Sequence, residues 1–250
     1  MTIRKFTQIL GANCLIIVTF NLLLLLPHLK SYLLSPGRRI LVGMVLYSFQ
    51  FLITRHLLRN QSGWLTRPFL YQSVIKGSAA FVAVMAVSTM LALFLDPAST
   101  LSTDTATLYR FLPLFLFNSI PGALMEEWLF RYFPVRFGQT DHFAFPQSYL
   151  YFFILILFPL LHIPAYLFQY EMDLRALGSI FLNGIFFLLV FLMTRNLVFT
   201  ALFHAFGNNA FFPVQSTYNW TYFYAVVFSV MMLWAFSNNR FSRNNTTEKI

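Results

Sequence analysis

Predominantly apolar residues run for roughly the length of a bilayer crossing eight times along this chain of 250 residues, at about 8–29, 40–58, 74–95, 111–133, 150–168, 177–194, 198–212 and 218–236. A helix rising 1.5 Å per residue needs about 20 such residues to cross roughly 30 Å of hydrocarbon, and the seventh run is the shortest. Backbone amides and carbonyls find no water in hydrocarbon, so each run is expected as a helix and the set as one bundle. The pattern therefore predicts an all-α fold, a polytopic membrane helical bundle of about eight transmembrane helices. It forms a single domain over 1–236, followed by a solvated cytoplasmic tail over 237–250 that carries Asn238, Asn239, Asn244 and Asn245.

Composition agrees: 58% of the residues are hydrophobic and only 10% charged, with a mean hydropathy of +0.66, more apolar surface than a soluble core of this size needs. The chain reads as an integral, multi-pass membrane protein. Its first run follows Arg4 and Lys5, like the basic start of a signal peptide. That run is long, however, and Pro27-His28-Leu29-Lys30 offers no small-residue cleavage pattern, so it is expected to stay as an anchor. Counted by alternate loops, one side collects twelve Lys and Arg residues and the other five, namely Lys30, Arg38, Arg39, Arg110 and Arg175. The positive-inside bias then places both termini in the cytoplasm, and a bacterial inner or plasma membrane is the expected location. The net charge of +9 reflects this bias and an attraction to anionic membrane lipid, and no basic run or finger motif points to nucleic acid. Cys14 is the only cysteine, which leaves disulfides, zinc–thiolate sites and a cysteine dyad without support.

Polar residues inside these runs carry the candidate chemistry. Glu126 and Glu127 stand side by side in Met125-Glu126-Glu127-Trp128-Leu129-Phe130-Arg131. A carboxylate at the centre of a bilayer costs about 2.5 to 3.5 kcal/mol on insertion scales, so two in succession demand partners, water or protonation. Glu127 and Arg131 have the spacing at which Glu before Arg pairs on one helix face, which makes them supporting partners. Glu126 points about 100° away, has no cation one turn on, and is free to face a cavity as a general base. Of five histidines, His28, His56 and His142 fall near helix ends or in loops, where a solvated ring is ordinary. His162 lies between Pro159 and Pro164, which kink a helix and open local space. A lone intramembrane histidine of this kind most often glues helices together by a hydrogen bond. His204 and Asn208 are one turn apart and share a face, which favours a polar-lined cavity, although the adjoining Gly207 and Asn209 would also suit a tight helix contact.

These residues resemble the CPBP family of membrane proteins, which takes in the type II CAAX prenyl endopeptidases and bacterial Abi or bacteriocin-processing relatives. Glu126 to Arg131 matches EExxxR, Phe158 to His162 matches FxxxH, and His204 to Asn208 matches HxxxN, in that order on successive late helices. The motif-bearing core spans about 111–212. Two positions depart from the pattern: Tyr132 stands where many relatives have a small residue, and Pro159 sits inside FxxxH. The resemblance implies an intramembrane endopeptidase (hydrolase) acting on a membrane-associated protein or peptide substrate. Glu126 would be the base, His162 would orient or share the water, and His204 with Asn208 would stabilise the oxyanion. A CAAX-type prenylated protein is one substrate, and a peptide or membrane-anchored precursor fits a bacterial source better.

The resemblance leaves metal dependence open, because members are described both as metalloproteases and as glutamate proteases. Zinc held by Glu126, His162 and His204 would make a His₂Glu site. There is no HExxH helix, though, and with Glu127 paired to Arg131 such a site lacks a base for its water, so no metal or other cofactor is favoured. Two other classes compete. A non-catalytic membrane scaffold or immunity protein would keep the motifs as polar glue, and a proton-coupled transporter would use them as a relay, although no repeated halves mark one.

Overall fold

A computed structural model describes residues 1–102, 105–140, 146–165 and 173–247 of the chain. In chain order the helices are α1 (Ile3–Leu23), α2 (Pro27–Tyr32), α3 (Pro36–Leu57), α4 (Gly63–Thr66), α5 (Tyr71–Leu95), α6 (Thr105–Leu114), α7 (Ile120–Glu127), α8 (Phe133–Gly138), α9 (Gln147–Pro164), α10 (Leu174–Thr194), α11 (Leu197–Asn208) and α12 (Asn219–Thr247). The three pieces α6, α7 and α8 form one continuous helical stretch, Thr105–Gly138. Among the described residues seven helices are long and apolar enough to cross a membrane: α1, α3, α5, the stretch Thr105–Gly138, α9, α10 and α12. Large apolar side chains such as Leu34, Phe94 and Leu233 lie on the outside, as a lipid-facing surface requires.

The shortest run is the exception. α11 has 12 residues, about 18 Å at 1.5 Å per residue, too little to cross alone. It runs alongside α5. Asn196, at its start, donates from Nδ2 to Ser73 O at 2.9 Å, and Phe206 packs edge-on against Phe81 further along. Beyond both helices, Thr100–Leu101 pairs antiparallel with Val214–Gln215. Seven helices of spanning length together with the shorter α11 are roughly consistent with the eight runs of the sequence pattern.

Local chemistry explains the turn that starts α11. Arg195 closes α10 in the left-handed region, at φ 53°, and Asn196 caps α11 by accepting from Phe199 N at 2.9 Å. Gly77 on α5 lets this turn approach, since a Cβ there would lie 2.5 Å from Asn196 Oδ1 and 2.9 Å from the backbone N of Phe199.

Within Thr105–Gly138 two turns widen to π geometry, Phe115–Ser119 and Trp128–Tyr132. Each is followed by a proline, Pro121 or Pro134. A proline ring clashes with the carbonyl four residues back, here Phe117 or Phe130, and each of those carbonyls lies inside a π turn.

Three boundaries differ from the sequence expectation. The run expected at about 111–133 continues as helix to Gly138, so Glu126 is twelve residues, about 18 Å, from that end. The run expected at about 150–168 begins as α9 at Gln147, fifteen residues or about 22 Å before His162, so that His162 and Glu126 lie at similar depth. Residues 141–145, with His142 among them, lie outside the described residues. Finally, α12 continues to Thr247, so most of the expected tail is helical.

Two apolar clusters flank the centre. One packs Phe6 of α1 against Phe133 and Phe137 of α8 by ring stacking, with Leu150 and Ile154 of α9. The other joins Phe81 of α5, Phe203 and Phe206 of α11, and Phe223 and Val227 of α12. α7, α9 and α11 bring their polar residues together between them.

Candidate active site

The two glutamates of α7 face different surroundings. Glu127 is fully buried, and its Oε1 lies 3.4 Å from Arg131 Nη1, the ion pair that the i,i+4 spacing predicts. Glu126 is 26% exposed at its side chain and lines a cavity of about 900 Å³. The helical offset of about 100° between neighbours produces this split: one carboxylate is locked into the protein and the other is open to a ligand.

Arg131 is fully buried, and among the described residues its terminal nitrogens donate to no hydrogen-bond partner. Aromatic rings hold it instead. Its guanidinium carbon lies 4.2 Å from the centre of the Phe158 ring and 5.5 Å from that of Phe187. Cation–π attraction is strongest in such a desolvated place. Phe158, the first residue of FxxxH, is thereby the ring on which the arginine rests, and Gly184 leaves the space, since a Cβ there would lie 3.3 Å from Phe158 Cδ1.

Both histidines turn Nε2 toward Glu126. His162 Nε2 and His204 Nε2 each lie 3.8 Å from Glu126 Oε2. Their other nitrogens are committed. His162 Nδ1 is 2.7 Å from Phe158 O, and a carbonyl only accepts, so Nδ1 carries the proton. His204 Nδ1 is 2.8 Å from Glu127 Oε1, and the His204 ring stacks on Phe187 at 4.3 Å. With Nδ1–H given to the carboxylate, a neutral His204 presents a lone pair at Nε2, and Nε2–H exists only when the ring is charged. This narrows the role that the resemblance implies for His204, because an oxyanion donor at Nε2 requires the charged ring.

Asn208, one turn beyond His204, is exposed to the same cavity. The structure thus brings Glu126, His162, His204 and Asn208 to one cavity wall, with Glu127 and Arg131 packed behind them.

Sequence reasoning missed one contact and two contributors. Glu127 reaches His204 as well as Arg131, a contact across 77 residues that no local spacing encodes. Phe187 carries both His204 and Arg131, and an apolar residue in an apolar helix gives no signal. Asn21 of α1 donates from Nδ2 to Leu161 O at 2.8 Å. The backbone N–H of Ala165, which would ordinarily serve that carbonyl, goes to His162 O instead. A buried asparagine in the first span was the available clue.

Glu126, His162 and His204 are the residues that could hold a metal, and imidazoles whose Nδ1–H is fixed by a carbonyl and a carboxylate are oriented as zinc ligands are. Tetrahedral zinc with bonds of about 2.0 to 2.1 Å needs donors roughly 3.3 Å apart. The separations from Glu126 are 3.8 Å, and among the described residues no three His, Cys, Asp or Glu side chains close into a metal-holding group. As placed, the donors do not fit the ion.

No curated protein and no solved structure matches the chain. Residues 108–211 match the family described as type II CAAX prenyl endopeptidase Rce1-like, a segment that holds all three motifs and every polar residue of the site except Asn21. That match supports an intramembrane endopeptidase of CAAX type in general terms, and it agrees with the resemblance to the CPBP family.

Proposed function

We propose that the chain is a glutamate-type intramembrane endopeptidase that hydrolyses a peptide bond of a membrane-associated protein or peptide. The observation that carries this reading is the convergence of His162 Nε2 and His204 Nε2 on Glu126 Oε2, at 3.8 Å each, on the wall of a large cavity. These gaps are too long for hydrogen bonds and suit an intervening water or substrate atom.

Glu126 and His162 Nε2 are both acceptors, so together they take the two hydrogens of a water and aim its oxygen lone pair at the scissile carbonyl carbon. As the new C–O bond forms, Glu126 takes a proton from the water and the carbonyl oxygen becomes an oxyanion. Asn208 donates to that oxygen through its amide. His204 donates through Nε2–H when its ring is charged, with Nδ1–H held by Glu127. When the C–N bond breaks, Glu126 returns its proton to the leaving amine. Arg131 offsets the negative charge of Glu127 from 3.4 Å away. No step passes through a metal.

The orientation with both termini cytoplasmic, the bacterial inner or plasma membrane and a precursor-type substrate belong to this proposal. The test is a comparative proteomic search for uncleaved membrane precursors in cells carrying Glu126→Gln in place of the wild type. The amide keeps the size of the side chain and cannot take a proton, so a precursor should accumulate while the protein inserts normally. No difference in any membrane protein, with the variant present at normal level, would favour a non-catalytic scaffold held together by the same buried network.

A further inference from the structure

The cavity that holds the site extends well beyond it. Its charged lining residues, apart from Glu126, are Lys30, Arg39 and Arg110, and most of the wall between is apolar, from Phe20, Leu24, Val42 and Leu46 to Met125 and Leu129. Helix register gives the distance. A Cβ on Gly43 would meet the side chain of Asn118, and a Cβ on Gly122 would meet Tyr47. Both pairs have the same sequence offset, so α3 runs parallel to the stretch Thr105–Gly138, and Arg39 lies level with Leu114. Arg39 is then about twelve residues and Arg110 sixteen residues from Glu126, roughly 18 and 24 Å along the axis.

Two observations suggest that these cations meet a ligand. Arg39 and Arg110 make no ion pair among the described residues, although both line the cavity. They also lie on the face that the basic-residue count makes non-cytoplasmic, where positive charge is disfavoured, yet three of the five cations on that face line this one cavity. Cations serving only lipid headgroups would be spread around the outer rim.

We infer that this end of the cavity binds a carboxylate of the substrate, an acidic side chain or chain terminus, through Arg39 and Arg110 with Lys30 beside them. An extended peptide spans about 3.3 to 3.6 Å per residue, so the anionic group lies about five to seven residues from the cleaved bond. The cavity is then a ruler: the salt bridge at one end sets which peptide bond reaches Glu126 at the other. This rests on the proposed protease activity.

The test uses the purified full chain in phosphatidylcholine nanodiscs and apolar peptides of about twenty residues. Each carries a single aspartate at a different position, and cuts are mapped by mass spectrometry. The cut should move with the aspartate, keeping a fixed spacing. Arg39→Gln with Arg110→Gln should abolish that tracking, and Arg39→Lys with Arg110→Lys should keep it. Cuts at fixed positions whatever the aspartate does would overturn the inference while leaving the protease reading intact. Activity that follows added phosphatidylglycerol in place of aspartate position would overturn it in favour of lipid binding. Absence of any cleavage by the wild type would count against the protease reading alone. Binding then decides the inference: on Glu126→Gln enzyme, a fluorescein-labelled aspartate peptide should bind about tenfold tighter than its asparagine counterpart, the scale of a charge-assisted hydrogen bond. Equal binding would overturn it.

Discussion

His204 donates its Nδ1 proton to Glu127 at 2.8 Å, to the same carboxylate oxygen that faces Arg131. The second glutamate of the pair thus ties α7 to α11 and sets which nitrogen of His204 looks into the cavity. A residue expected to be a structural partner of the arginine also governs the protonation of a site histidine.

Substituting Glu127 should therefore damage both stability and catalysis. Breaking a buried charge pair from one side typically costs about 3 to 5 kcal/mol, and Glu127→Gln leaves Arg131 without its counter-ion at contact distance. Thermal denaturation in detergent should show the loss, and the surviving folded protein should still cleave poorly. Glu126→Gln, by contrast, should leave the denaturation midpoint unchanged. Interchanged results would mean that the roles of the two glutamates are reversed.

Asn208 separates catalysis from capture. It has no partner among the described residues, so its loss should not destabilise the fold. Removal of one oxyanion donor typically lowers turnover by about 10² to 10³. Asn208→Ala should show that drop in kcat with little change in KM. A drop confined to KM would make Asn208 a substrate-binding residue instead.

Asn21 lies outside the family-matched segment, and its prediction is correspondingly specific. Asn21→Leu removes the donor to Leu161 O next to His162, at an expected cost of about 1 to 3 kcal/mol for the unsatisfied carbonyl. Asn21→Asp should be no better, because a carboxylate accepts and does not donate. If Asp restores both stability and turnover, the hydrogen bond does not matter.

Metal content follows from the donor spacing. Purified protein should contain no stoichiometric tightly bound zinc, and chelators should leave cleavage intact. About one zinc per chain by elemental analysis, with activity lost on stripping and restored by zinc, would make Glu126, His162 and His204 ligands.

Much of this was legible because the membrane makes polar residues conspicuous. Glu126, His162, His204 and Asn208 stood out as exceptions in apolar runs, and the face-splitting of Glu126 from Glu127 followed from helix geometry alone. The register between helices was not legible. Nothing in the sequence near Glu127 announces His204, and nothing near Leu161 announces Asn21, because such contacts depend on how helices cross. The end of this helix was not legible either. The apolar run fades near Phe133, whereas the helix continues through Pro134 to Gly138. A proline after a wide turn bends a helix without ending it.

The two wide turns around α7 make this stretch tolerant of length at two places and intolerant elsewhere. A π turn spends one residue more than an α turn on one full turn, so a one-residue deletion within Phe115–Ser119 would return that turn to α geometry and leave the helix on either side in phase. A residue lost where no wide turn closes up would instead swing the two sides by about 100° relative to each other and carry Glu126 off the cavity wall. The wide turn therefore marks where a chain with every motif residue present can be one residue shorter and still aim its glutamate at the cavity.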